Sequence, residues 1–180
     1  MSEERDGAAR AAELRRAFDG TFAAPPLLDD GDATEALLAV RAGADACVVR
    51  LSEMRGLVAR PTVVALPGPL PELLGLASLR GALIPVYRLA ALQGQPVTAA
   101  PAAWMMLVEA DGLVGLAFEE LLGYLRVQRS AIAALPDASG APGASWAARI
   151  GDALRPLIDV PSLIEGLRRR ARAVGAHTEE

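Results

Sequence analysis

Catalysis needs a nucleophile beside its base, a metal-binding cluster, paired carboxylates in one pocket, or a phosphate cradle. The 180 residues contain one histidine, His177, and one cysteine, Cys47, too few for a zinc ligand set or an internal disulfide. His177 lies close to the C-terminus, so a triad with Ser78 or Ser130 would draw its general base from a fraying tail. Glu119 and Glu120 are adjacent, and on an extended strand their carboxylates point to opposite faces, which is wrong for an acid and base acting together; they are expected to meet solvent or an arginine. The glycines of Gly75–Gly81 suggest a phosphate loop only superficially, because no Gly-Lys-Ser/Thr ending follows them. That stretch reads as strand and turn. Cys47 sits between Ala46 and Val48 on an apolar strand, where a thiol is inert, and Trp104 and Trp146 read as core or semi-core. The expectation is a protein that is not an enzyme, with no catalytic, cofactor-binding or metal-ligating residue.

Composition narrows the partners. All 18 basic residues are Arg, and against 22 acidic residues they leave a net charge of −4, the wrong sign for binding nucleic acid. Hydrophobic residues at 52% exceed what a disordered chain carries. Ser2–Arg10 is polar and a lone cysteine suits a reducing compartment, so the expected location is the cytoplasm. Leu89–Val108 is uncharged, but its Gln93, Gly94, Gln95, Pro96 and Pro101 describe a loop rather than a membrane span. Direct membrane insertion is not expected.

Residues 1–32 are expected to form an amphipathic helix, with Ala11, Leu14 and Phe18 on one face, and a linker broken by Pro25-Pro26 and Asp29-Asp30-Gly31. From residue 33 short apolar runs alternate with Gly, Pro and Asp, the pattern of many short strands. One feature recurs. The hairpin Leu37–Arg41, Ala42-Gly43-Ala44-Asp45, Ala46–Leu51 returns as Trp104–Val108, Glu109-Ala110-Asp111-Gly112, Leu113–Phe118. Leu51–Val58 then aligns with Phe118–Leu125, and Gly81–Leu89 with Asp152–Val160, sharing Ala-Leu-x-Pro. Three matches in one order predict two β-subdomains of related plan, roughly 33–100 and 101–160, each too small to bury both faces of its sheet alone. Pro85 and Pro156, inside the repeated strands, predict edge or bulged positions. Pro136–Ser145 reads as a surface loop. Pro161–Val174 reads as a helix burying Leu163, Ile164, Leu167 and Ala171, with Arg168, Arg169, Arg170 and Arg172 toward its C-terminus and a tail over 175–180.

With the repeat placed, Gly75-Leu76-Ala77-Ser78-Leu79-Arg80-Gly81-Ala82-Leu83-Ile84-Pro85-Val86-Tyr87-Arg88-Leu89 resembles the signature of CheW-like chemotaxis adaptor domains. That signature runs Gly-Val-x-Asn-Leu-Arg-Gly-x-Ile-x-Pro-Val-x-Asp-Leu. Thr62–Pro67 resembles the stretch ahead of it, and the similarity spans about residues 35–167. The resemblance implies a mainly β fold of two SH3-like five-stranded barrels with short N- and C-terminal helices. It implies a scaffold in a two-component signalling system, bridging the regulatory domain of a CheA-type histidine kinase and the cytoplasmic tip of a methyl-accepting chemoreceptor, and recruited to receptor arrays at the inner membrane. It also places Arg80 beside an apolar groove between the subdomains, with Leu76, Leu79 and Val86 supporting it, and gives Gly75, Gly81 and Pro85 structural roles.

Three positions depart from the family pattern. Ser78 replaces Asn, Arg88 stands where Asp is usual, and Gly56 lies where many members carry Glu. Arg80 would then find its carboxylate at Glu53 or Glu72, or serve a partner. These departures suggest a divergent member. Two alternatives stand beside the adaptor: a kinase-binding regulator without receptor contact, and a ligand-binding or hydrolytic β-barrel.

Overall fold

Strict alternation of buried side chains builds the molecule's centre. The first strand, β1 (Thr34–Ala42), turns into β2 (Asp45–Arg50) through Gly43 at φ +62, with Ala42 paired to Asp45. Leu37 and Ala39 of β1 face one core while Leu38, Val40 and Ala42 face another, the period of two that a strand imposes. The computed structural model describes residues 33–68, 70–96, 101–135 and 144–176. The helix expected over Ala8–Phe18, its linker, most of the Pro136–Ser145 loop and the His177 tail lie outside the described residues.

The next strands are β3 (Gly56–Ala59), β4 (Val63–Val64), β5 (Leu73–Leu79) and β6 (Ala82–Arg88), followed by the one-turn helix α1 (Leu89–Leu92). Then come β7 (Trp104–Glu109), β8 (Leu113–Phe118), β9 (Glu120–Gln128), β10 (Ile132–Ala134), β11 (Trp146–Ile150) and β12 (Ala153–Ile158), and finally helix α2 (Val160–Ala176). The described residues form two six-stranded sheets: β10-β11-β12-β2-β1-β9, the first sheet, and β3-β7-β8-β6-β5-β4, the second. In each, strands from both ends of the order feed one small core, so the sheet rolls on itself. Ile132 of β10 and Val127 of β9 share the first core, and Val58 of β3 and Val63 of β4 share the second. The mainly β, two-subdomain plan is the expected one. Its sixth strands are the short segments β4 and β10.

The repeat read from sequence is a structural repeat, because the two strand orders coincide once β7 is matched to β1, β8 to β2, β3 to β9 and β4–β6 to β10–β12. Yet the sheets do not divide near residue 100. The hairpin β1-β2 belongs with β9–β12, and β7-β8 belongs with β3–β6, so each half lends its first hairpin to the other half's sheet. The joins are parallel: Val86 against Gly115 and Tyr87 against Leu116 in one sheet, Leu157 against Val48 and Ile158 against Val49 in the other. Consequently β6 and β12 are interior strands, which corrects the edge position expected from Pro85 and Pro156. Each Pro lies one residue before its parallel ladder begins, while on its other side Pro85 stands opposite Leu76 and Pro156 opposite Ala147.

The back faces of the two hairpins meet in a third and larger core between the sheets, containing Val40, Val49, Met106, Leu116 and Phe118. Helix α2 covers it with Val160, Leu163, Ile164 and Leu167, all at most 5% exposed, while Ala171, expected on that face, is exposed. Each such side chain is worth roughly 1.5–3 kcal/mol on burial. The solvent-facing ion pair Arg168–Asp111 adds about 0–1 kcal/mol and Arg170 pairs with the mostly buried Glu72, so packing is the larger part of what holds α2 in place. At its start the Val160 N–H donates to Glu53 Oε2 (3.0 Å) and the Ser162 N–H to Asp159 Oδ1 (3.2 Å).

Candidate interaction surface

The hairpin β5-β6 carries most of the residues singled out by sequence. Leu79 pairs with Ala82 across the two-residue turn Arg80-Gly81, whose φ values, +51 and +85, are both positive. That is the mirror-image turn that suits the twist of a hairpin. Gly75 sits at a bulge with φ +146, and a β-carbon there would lie 2.0 Å from the Val64 carbonyl oxygen, so β4 approaches β5 only over a glycine. A β-carbon at Gly81 would meet nothing within 4 Å.

Side-chain direction sorts the rest. Ala77, Ile84 and Val86 point into the second sheet's core, with Leu74 and Leu79 partly covered around it. Val86 is wholly buried, which corrects its assignment as a partner contact: it supports the face from beneath. On the outer side Val64 of β4, Leu76 of β5 and Pro85 of β6 lie in register as a continuous apolar row. Leu76 and Pro85 are half-buried, Val64 is 66% exposed, and Leu83, opposite Ser78, is 70% exposed. Arg80 is exposed at the end of this face. Sequence reading passes over Val64 and Leu83. The signal is present in Leu83-Ile84, where two adjacent large apolar residues on one strand must face opposite ways.

Neither carboxylate expected for Arg80 reaches it. Glu53 Oε1 accepts from Arg50 Nη1 (3.1 Å) while its Oε2 accepts the Val160 N–H, and Glu72 Oε1 pairs with Arg170 Nε (3.2 Å). Burial, and then the neighbouring Glu72 carboxylate, raise the Tyr87 hydroxyl above its ordinary value. Gly56 lies on β3 opposite Leu107. Arg88, the third departure, is buried, and its Nη1 lies 3.3 Å from Glu119 Oε1. Glu119 Oε2 also accepts the Gly43 N–H (2.7 Å), so one carboxylate fastens the end of β6 to the β1-β2 turn. Glu120 pairs with Arg41 Nε (2.9 Å). Both glutamates therefore meet arginines, as the sequence leads one to expect.

The centre of the seam between the subdomains is packed by the two hairpins, α1 and α2, and at its edge an apolar pocket of about 260 Å³ opens between β1 and β3, lined by Leu38, Leu51, Met54 and Leu57. A cleft of about 530 Å³ lies beside α2, lined by Glu53, Arg55, Glu109, Glu165 and Arg168 among others, and these charges pair with neighbours in the chain. Cys47 is fully buried, and desolvation chiefly pushes its thiol up to about 12. Trp104 is half-buried against the central core, whereas Trp146 is 41% exposed. Among the described residues no group of three or more His, Cys, Asp or Glu could hold a metal ion, and no helix is long and apolar enough to cross a membrane.

No curated protein matches the chain. Among solved structures it is similar to the scaffolding protein TtCheW from Thermoanaerobacter tengcongensis, with a TM-score of 0.64 at 15% identity, covering 71% of this chain and 90% of that one. At that identity the likeness speaks for the fold. The sequence itself matches the model of the CheW-like domain over residues 36–168, from the first core-facing residues of β1 to the part of α2 that seals the central core. The rolled sheets, the exchanged hairpins and the Leu-Arg-Gly turn are thus those of a member of the CheW-like domain family, to which this chain belongs.

Proposed function

We propose that the chain is a non-catalytic adaptor of bacterial chemosensory signalling, a divergent member of its family, which couples a methyl-accepting chemoreceptor to a CheA-type histidine kinase. The observation that carries this reading is the outer face of β4-β5-β6. A rigid sheet presents Val64, Leu76, Leu83 and Pro85 to solvent beside an exposed Arg80. Contiguous apolar surface on a soluble domain marks a place where a protein docks. Family membership supports the regulatory domain of the kinase as partner and the cytoplasm, at receptor arrays, as location. TtCheW, whose fold this chain resembles, is itself a scaffolding protein, which supports the same role.

The test is a titration of purified chain against the kinase regulatory domain and, separately, against a receptor tip from the same organism. Micromolar binding to both is expected, and no binding to either at ~100 μM overturns the adaptor. A second reading, a kinase-binding regulator without receptor contact, draws on the departures from the family signature at Gly56, Ser78 and Arg88. Binding to the kinase domain with none to the receptor tip decides for it.

A further inference from the structure

We infer that the seam between the two sheets is a hinge: it is pinned where Glu119 clasps the β1-β2 turn, and it opens at the far end of that hairpin, beside the start of α2. The internal repeat makes the asymmetry visible. Glu119 is the single residue between β8 and β9, where the chain passes from the second sheet to the first. Its Oε2 accepts the Gly43 N–H and its Oε1 faces Arg88 at the end of β6, so it ties the two sheets together. Gln95, just beyond α1, adds two more ties: its Oε1 accepts the Ala44 N–H (3.2 Å) and its Nε2 donates to Asp45 Oδ2 (2.9 Å). The turn sits so close that a β-carbon on Gly43 would lie 2.1 Å from Gln95 Oε1 and 3.1 Å from the Ala90 β-carbon.

The matching passage, from the first sheet to the second, runs over residues 51–55 between β2 and β3. There the repeat puts Ser52 in the place of Glu119 and Asp159 in the place of Arg88. Asp159 caps its own helix through Ser162, and Ser52 lines the cleft of about 530 Å³. The apolar pocket of about 260 Å³ opens at the same end, roughly 20 Å along β2 from the Gly43 turn. The ion pair that closes this end, from Arg168 of α2 to Asp111 of the β7-β8 turn, leaves Asp111 82% exposed, so water and salt weaken it. Arg170 and Glu72 fasten the farther half of α2. Local opening starts where polar contacts are solvated, and at this end it widens the apolar pocket.

Two thiols on one strand report on the two ends. Cys47 and Val49 both face the central core and are fully buried, Cys47 beside Gln93 near the clasp and Val49 closer to the open end. The rate of reaction with an aromatic disulfide reagent is measured for the wild-type chain and for Cys47→Ala/Val49→Cys, each with and without Asp111→Asn, and corrected for global stability from urea unfolding. The thiol at position 49 is expected to react at least ~10-fold faster than Cys47. Asp111→Asn should speed it a further factor of roughly 2–5 while leaving Cys47 unchanged. Equal rates at the two positions, or equal acceleration of both by Asp111→Asn, would mean that the seam opens only by unfolding, and the hinge falls. Should the cysteine variant fail to fold, amide exchange of the wild-type chain decides. The Val160 N–H, held by Glu53, should exchange at least ~10-fold faster than the Gly43 N–H, held by Glu119, and an equal or slower rate overturns the hinge.

Discussion

Removing both partners of the Arg88–Glu119 pair should cost the protein clearly less than the sum of removing each alone. The two side chains are 9% and 15% exposed, so each charge has given up most of its hydration, and the Gly43 amide depends on the same carboxylate. Arg88→Met leaves a nearly buried carboxylate without its cation, a loss of about 3–5 kcal/mol by analogy with other buried pairs. Glu119→Gln keeps an oxygen for the Gly43 N–H but removes the anion that faces Arg88, and should fall at or just below the same range. The double variant Arg88→Met/Glu119→Gln leaves no stranded charge. Its loss should be smaller than the sum of the single losses by roughly 1–3 kcal/mol. Domains of this kind have about 5–15 kcal/mol in total, so the singles should show clearly lowered urea midpoints, read through Trp104 fluorescence. Single losses under about 1 kcal/mol that simply add in the double variant would refute the reasoning. The contact would then be a screened surface pair.

Two further outcomes follow from the geometry. Gly75→Ala puts a methyl 2.0 Å from the Val64 carbonyl oxygen at a positive φ and should cost roughly 2–6 kcal/mol, whereas Gly81→Ala, with open space around it, should lose only about 1–2 kcal/mol of backbone strain; equal urea midpoints for the two would contradict this. The Cys47 thiol is neutral in the fold up to about 12, against about 8.5 in an unfolded chain, so its contribution is complete below pH ~8.5 and declines above it by up to about 1.4 kcal/mol per pH unit. Tyr87, also raised, acts in the same direction. Cys47→Ala should flatten the alkaline fall in stability, and the native thiol should react with a disulfide reagent only as fast as the protein opens; a prompt reaction in native buffer would show the thiol to be accessible.

The sequence makes the strands and their repeat legible because both are local. Nearly unbroken apolar runs in Leu37–Ala42 and Trp104–Val108 mark strands buried on both faces, and Gly43 marks a turn, without reference to any distant contact. Which strands lie side by side is a different question. Nothing in the composition of β6 or β8 encodes their parallel pairing, so the exchange of hairpins between halves is invisible in the sequence, and with it the interior position of Pro85. Whether Val86 meets a partner or packs beneath the face is a related question. Motif position says that a residue matters, whereas only the parity of its strand says which way it faces, and Ile84 and Val86 share the inward parity. The apolar stripe of α2 is legible but its destination is not: a stripe of Leu163, Ile164 and Leu167 needs a partner surface, and here that surface is the chain's own central core.

The exchange of hairpins also sets the order in which the chain becomes able to fold. The second sheet, β3 to β8, is complete as soon as Phe118 has been made, and all its strand partners are then present. The β1-β2 hairpin, made before the second sheet, can pack one face on β7-β8 at that point but must wait for β9 through β12 before its other face gains a core, and for α2 to cover the seam. During that interval the apolar face carrying Leu37, Ala39 and Val48 has no partner, the condition under which a nascent polypeptide is open to aggregation.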